Sequence, residues 1–373
     1  MEDNILDKKL NINFIDGASI EIIEDTILHY KIEFIDRDTD DVIFELDLKS
    51  NQSDKCPKKY YVNWLIRIKG IDNDFYYEYI FDLNRKKVFV YLESPGLGDT
   101  LAWMHQVEKF RIERNCEVIV ATHYNEIFKK QYPNLTFILP YNQPSDLYAS
   151  YRVGFWLKEG RANMNRNRVD TKNLPLIKVG SNILGLEYEE LKPKLENLGE
   201  GKQKLVTIGF FTKGQYKYWN NPTGWQEVVD FLNSKGYEVR VLSNEENGYR
   251  GNKLPTGVTR QPNGSLSDIV KVLQESELFI GISSGLSWLS WAVGTPTIII
   301  SGFTDVTFEP TNGVTRIINK EVCNSCWSNY EFDPKNHNWC PVHAGTERRF
   351  ECSKSITGEV VIENVKNLIN NLS

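Results

Sequence analysis

Hydrophobic and polar positions along this chain change rhythm at two points. Over residues 1–86, short apolar or alternating runs at 20–23, 28–35, 42–48, 60–68 and 75–81 are broken by Asp, Asn and Gly. That pattern predicts short strands joined by turns, and a separate β-rich unit in the form of a small barrel or sandwich. From residue 87 the runs become continuous. An apolar strand at 88–92 leads through Pro95-Gly96-Leu97-Gly98 into a helical stretch over 100–114, and a strand follows at 118–121. Strand, loop, helix and strand in that order predict a parallel sheet with helices on its faces.

Residues 161–201 are polar and irregular, with Asn and Arg repeated over 163–168, and read as a connection. A second α/β unit then begins. Its strands are expected at 205–211, 237–242, 257–260, 278–282, Thr297–Ile300 and 314–318, and its helices at 223–235, 266–275 and 285–293. A final helix over 359–372 is expected to pack back across the cleft. The division is therefore 1–86, 87–200 and 201–373: a β-rich unit followed by two Rossmann-like units facing a cleft, the GT-B arrangement.

Length and composition agree with this reading. At roughly 100–200 residues per domain, 373 residues divide into two or three units, and 40% hydrophobic with 25% charged residues is an ordinary globular balance. The 44 basic residues fall short of the 50 acidic ones, a net charge of −6, so the basic surplus that binds a phosphate backbone is missing and nucleic acid is disfavoured as a partner. The first residues carry acid where a signal peptide needs positive charge, and no apolar run approaches the ~20 residues of a membrane span. A cytoplasmic protein without a membrane span is expected.

Six cysteines in such a chain argue against a disulfide framework, and four of them fall between 323 and 352. Cys323 and Cys326 form a C-x2-C pair, with Cys340 and Cys352 following singly. Four soft thiolates close a tetrahedral shell and leave no open position, so this site, over residues 320–353, is expected to fold a loop around a zinc-like ion and to do no chemistry itself. Four unrelated buried thiols are the bland alternative, and His337 and His343, flanking Cys340, are possible substitute ligands. Cys56 and Cys116 are left as inert thiols.

Three further segments carry candidate chemistry. Asp99 follows the glycine turn between strand and helix, where it is either an N-cap or a general base at the carboxyl edge of the sheet. After the strand at 205–211, Thr212, Lys213 and Lys217 reach the same edge. A lysine there suits a diphosphate, although either lysine alone would ordinarily be a solvated loop residue. Ser283, Ser284, Gly285 and Leu286 join a strand to a helix start, whose free N–H groups suit an anion when the turn faces a cleft; a plain serine cap is the compatible alternative. Glu245 stands where a carboxylate accepts ribose hydroxyls or sits in a solvated loop. The acidic run at 36–41 reads as a hairpin tip and not as a metal site.

Gly98-Asp99-Thr100-Leu101, Lys217-Tyr218-Trp219 and Ser284-Gly285-Leu286-Ser287-Trp288 through Ala292-Val293-Gly294-Thr295-Pro296-Thr297, in that order, resemble the lipopolysaccharide heptosyltransferases. The β-rich N-terminal unit and the cysteine finger resemble one branch of them, the bacterial autotransporter heptosyltransferases. The resemblance implies an inverting transfer of heptose from ADP-heptose to serine hydroxyls of an autotransporter adhesin, without a catalytic metal. It implies Asp99 as base, Lys217 as phosphate contact, and Ser284, Gly285 and Leu286 as the diphosphate and sugar turn. It also implies a structural iron in the finger, with zinc as the alternative, and a large homo-oligomer, a dodecamer. The usual Asp-Thr-Gly of the lipopolysaccharide enzymes reads Ser283-Ser284-Gly285 here, and the following His position is Trp288. The other readings are a lipopolysaccharide-type enzyme, a transferase using another nucleotide sugar, and a non-catalytic assembly protein on a decayed transferase fold. On this view the finger projects from the catalytic body and holds subunits or the acceptor.

Overall fold

The computed structural model describes residues 10–158, 161–261 and 264–372, without the side chains of 371 and 372; residues 1–9, read above for a leader, lie outside this set. The strands are β1 (Leu10–Ile15), β2 (Ser19–Ile22), β3 (His29–Asp36), β4 (Asp41–Lys49), β5 (Gln52–Lys55), β6 (Trp64–Gly70), β7 (Tyr76–Ile80), β8 (Lys87–Leu92), β9 (Glu117–Ala121), β10 (Leu135–Ile138), β11 (Ala149–Val153), β12 (Leu157–Lys158), β13 (Arg161–Ala162), β14 (Gln203–Gly209), β15 (Glu238–Val241), β16 (Thr259–Arg260), β17 (Ser276–Ile282), β18 (Thr297–Ile300) and β19 (Val314–Ile317).

The first sheet has the order β10-β9-β8-β11-β1-β2-β5. Its parallel centre is β10, β9, β8 and β11, and β1 joins that centre in parallel with Phe14 opposite Ala149. β2 and β5 then extend the edge antiparallel. The expected free-standing barrel or sandwich is therefore not what these strands build. Three of them belong to the parallel sheet, and only β4-β3-β6-β7 forms its own antiparallel sheet. The reason is visible in their apolar faces: Phe14, Ile20 and Ile22 share one core with Ile32, Phe34, Ile66 and Ile68 of the small sheet and with Val88, Val90 and Leu92 of β8. Strands that bury one continuous face gain more by joining than by closing on themselves.

The second sheet has the order β16-β15-β14-β17-β18-β19, all parallel, the 3-2-1-4-5-6 order of a doubly wound nucleotide-binding sheet. β18 is buried throughout as Thr-Ile-Ile-Ile, as a strand covered on both faces should be. The helix Leu266–Glu275 starts from a full capping box, Ser265 with Asp268. The final helix, Gly358–Leu372, does not cross the cleft. Val361 and Val365 pack into the second core with Val228, Val229 and Leu232 of the helix Gly224–Ser234. Between residues 161 and 201 lies a further helix, Leu176–Leu184, where an irregular connection was expected. Among the described residues no helix is long and apolar enough to cross a membrane.

The two sheets meet through their helices. Gly98, on the helix Leu97–Arg114, lies so close to Trp288, on the helix Gly285–Ala292, that a Cβ at position 98 would stand 2.9 Å from the indole Cδ1. A Cβ at Gly285 would stand 3.1 Å from Leu97 Cβ. Two glycines thus let the helix starts touch, which brings the carboxyl ends of β8 and β17 to one place.

Candidate active site

β8 ends at Leu92, and the chain turns over Glu93–Gly96 before the helix begins at Leu97. Asp99 falls in the first helical turn; Gly96 is the N-cap, so Asp99 is not the cap residue. Ser94 Oγ accepts the Gly96 N–H at 3.0 Å and donates to Asp99 Oδ2. Burial pushes the Asp99 carboxyl above its ordinary value, against the pull of the Ser94 hydrogen bond and the Lys217 charge.

Lys217 closes the short 3₁₀ turn Gln215–Lys217 after β14. Burial holds its ammonium below the usual lysine range, and the Asp99 and Glu309 carboxylates oppose that shift. Its Nζ stands 5.5 Å from the centre of the Phe303 ring, a cation–π approach. Asp99 and Lys217 line one cavity of about 250 Å³ with Ser283, Ser284, Gly285, Trp288, Phe155, Phe303, Phe308 and Trp327. A wider chamber of about 550 Å³ shares Leu97, Ser284 and Gly285 with it and is lined by Thr212, Lys213, Glu245, Leu286, His123, Tyr124 and Glu126. The structure therefore gathers all nine non-cysteine candidates, Asp99, Thr212, Lys213, Lys217, Glu245, Ser283, Ser284, Gly285 and Leu286, around two adjoining chambers.

They are not equivalent there. Ser284 is the N-cap of the helix Gly285–Ala292 but caps nothing with its side chain, and its buried Oγ has no hydrogen-bond partner. A free hydroxyl beside free helical N–H groups is a site prepared for an anion. Ser283 is committed elsewhere: its hydroxyl donates to Glu309 Oε1 at 2.5 Å. The same oxygen accepts from Thr304 Oγ1 at 2.9 Å, and Arg316 Nε lies 3.3 Å from Glu309 Oε2. This buried Ser283–Thr304–Glu309–Arg316 group lies under the anion turn and fixes its floor. Ser94 and Glu309 carry no motif signal, and only the fold puts them beside Asp99 and Lys217.

In the finger, Cys326, Cys340 and Cys352 are buried and Cys323 is half-buried; all four are free thiols. Their charges act on one another, and burial pushes Cys326 and Cys352 up to about 12. Among the described residues, the donor atoms that fall within 4.8 Å of one another belong to Cys323, His343 and Glu351. Cys323 alone of the four cysteines belongs to that group, although the four lie near enough for their charges to act on one another; thiols with an imidazole and a carboxylate alongside suit a soft metal ion, whose binding would take the thiol protons. The loop does not project as expected. Cys352 lies on Gly302, where a Cβ would stand 3.0 Å from its Sγ, and Gln215 N–H donates to His337 O at 2.8 Å. The finger is docked on the loops that carry Phe303 and Lys217.

The sequence model of glycosyltransferase family 9 (heptosyltransferase) matches residues 175–342. The autotransporter heptosyltransferase Aah of Escherichia coli is 33% identical over 91% of this chain and 88% of its own length. This chain belongs to the autotransporter heptosyltransferase family. Its class is that of the family 9 glycosyltransferases, and the mixed α/β fold is theirs. The heptosyltransferase BAHTCr of Citrobacter rodentium is 33% identical over 96% of this chain and 88% of its own. The crystal structure of TibC from enterotoxigenic E. coli, described as an iron-containing dodecameric glycosyltransferase, superposes with a TM-score of 0.90 at 29% identity, over 98% of this chain and 96% of that one. TibC has also been crystallised in complex with ADP-D-beta-D-heptose.

Proposed function

We propose that this protein moves heptose from ADP-heptose to serine hydroxyls of an autotransporter adhesin, with inversion at the anomeric carbon. The observation that carries the reading is the convergence of a half-buried carboxylate, a half-buried ammonium and an unpartnered hydroxyl at a helix start on one small cavity. Asp99 takes the proton of the acceptor serine as its oxygen attacks the anomeric carbon. Lys217 and the N–H groups at Ser284 and Gly285 offset the charge that develops on the departing ADP, the electrostatic task a metal ion would otherwise perform. Thr212, Lys213, Glu245 and Leu286 receive the nucleotide in the wider chamber.

The proposed layout is GT-B, with an acceptor-side unit up to residue 200 that takes in the N-terminal strands, a donor-side unit over 201–373, and a finger over 320–353. Cys323, Cys326, Cys340 and Cys352 hold one iron ion, with zinc as the alternative. The proposed assembly is a large homo-oligomer, a dodecamer, in the cytoplasm. The soft donor set and the TibC likeness support the metal and assembly readings.

The test is to incubate the purified protein with ADP-heptose and an adhesin passenger fragment, and to read intact mass and the modified residue. One heptose added on serine is the expected result. A preference for another nucleotide sugar, or ADP release with an unmodified passenger, would remove the donor or the acceptor assignment respectively.

A further inference from the structure

The small cavity has a polar wall and an aromatic wall. Asp99, Lys217 and Ser284 make the first; Phe155, Phe308 and Trp327 make the second. Phe155 and Phe308 stack at 6.2 Å with 15° between their planes, and Trp327 meets them edge-on at 5.7 and 6.3 Å. All three rings keep part of their surface uncovered.

Trp327 is the residue after Cys326 and is held from behind. Its backbone N–H donates to Phe303 O at 3.1 Å, Ser325 N–H donates to Gly302 O at 2.8 Å, and Phe303 and Phe332 pack against the indole at 6.0 and 5.3 Å. Cys326 belongs to the same apolar cluster as Phe303 and Trp339. The indole is thus positioned by the finger, yet it lines the same cavity as the groups assigned to the reaction.

We propose that Trp327, with Phe155 and Phe308, is the sugar subsite of this cavity: a ledge that receives the apolar C–H face of the monosaccharide carried by the nucleotide. The cysteine finger then supplies one wall of the substrate site. This rests on the donor reading above. An aromatic face presents negative charge density to polarised C–H groups, and a ring held by its neighbours loses little freedom on contact. The occupant is the sugar because Asp99 and Lys217 border this chamber, and the group between them is the one whose anomeric carbon reacts. The nucleotide has the wider chamber on the far side of Ser284 and Gly285. The ledge orients the sugar and exchanges no proton with it.

The experiment is calorimetric titration of the full chain and of two variants, Trp327→Leu and Phe155→Leu, with ADP and with ADP-heptose. Leucine keeps an apolar side chain and removes the ring face, and Phe155 lies outside the finger, so the second variant reports even if the first loosens the finger. Both variants should bind ADP within about twofold of the parent and ADP-heptose about three- to tenfold more weakly, the range of one aromatic contact. An equal loss for both ligands, or no loss for either, overturns the ledge. A parent chain that binds no ADP-heptose sinks the donor reading and the ledge with it; parent binding with unchanged variants sinks the ledge alone.

Discussion

Asp99 and Lys217 reach one cavity from different sheets, the carboxylate from the first turn after β8 and the ammonium from the turn after β14, and each acts on the other's charge. Both are shifted toward their neutral forms by burial, and each moderates the shift of the other. Asp99→Asn keeps the shape and removes the base. It should lower transfer to the passenger by about a hundred- to ten-thousandfold and leave ADP affinity near the parent value. Turnover measured beside ADP titration separates the two; retained turnover would take Asp99 out of the base role.

The pH dependence follows from the same pair. A base must be deprotonated, and the Asp99 carboxyl sits above its ordinary value, so the acid limb of kcat/KM should lie higher than for an exposed aspartate. Ser94 donates to the carboxylate form and pulls that value down, so Ser94→Ala should move the acid limb to higher pH. Lys217 must be charged and sits below its ordinary value, so the basic limb should fall at lower pH than for an exposed lysine. A pH–rate profile of parent and Ser94→Ala checks both; an unmoved acid limb would dissociate Ser94 from the base.

The raised value of the Asp99 carboxyl also bears on stability. Its folded value is raised above the unfolded one, so the stability it contributes is fully present below the unfolded value and is lost as pH rises through the folded value. Asp99→Asn should therefore raise the unfolding temperature at neutral pH, and that gain should shrink in acid. Thermal melts at several pH values read it, and a gain independent of pH would contradict it.

Gly98→Ala would place a methyl 2.9 Å from Trp288 Cδ1. The helices must separate or the indole must turn, which should cost about 1–3 kcal/mol. Because these helices set the distance between β8 and β17, donor affinity should fall as well. Denaturant melts and ADP titration measure the two effects.

Removing metal from the finger, by chelation or by Cys326→Ser, should lower the melting temperature and also weaken ADP-heptose binding. The reason is local: the finger carries Trp327 and rests on Gly302 and Phe303, one residue of which lies beside Lys217 Nζ. Metal analysis of the purified protein distinguishes iron from zinc. Donor affinity that survives complete metal loss would show the finger to be independent of the cavity.

The elements with strong local periodicity were legible without coordinates. Thr297–Ile300 and Leu266–Glu275 lie where the pattern puts them, and the glycine turn before Asp99, the lysine after β14 and the serine turn after β17 were readable as candidates because strand-to-helix junctions have a recognisable order of residues. β1, β11 and the helix Leu176–Leu184 escape the local pattern, and β1 acquires its meaning only by pairing with β11, far along the chain.

What the sequence by itself determined is therefore the inventory: two runs of strand and helix, the residue types at their junctions, and four cysteines spaced for a soft ion. Tertiary structure decided what meets what. It merged the N-terminal strands into the first sheet, spent the Ser283 hydroxyl on Glu309 while leaving that of Ser284 free, and laid the finger against the cavity wall. These outcomes depend on contacts between residues far apart in the chain, whose free energy comes from burying shared surface, and no local pattern encodes which surfaces will be shared.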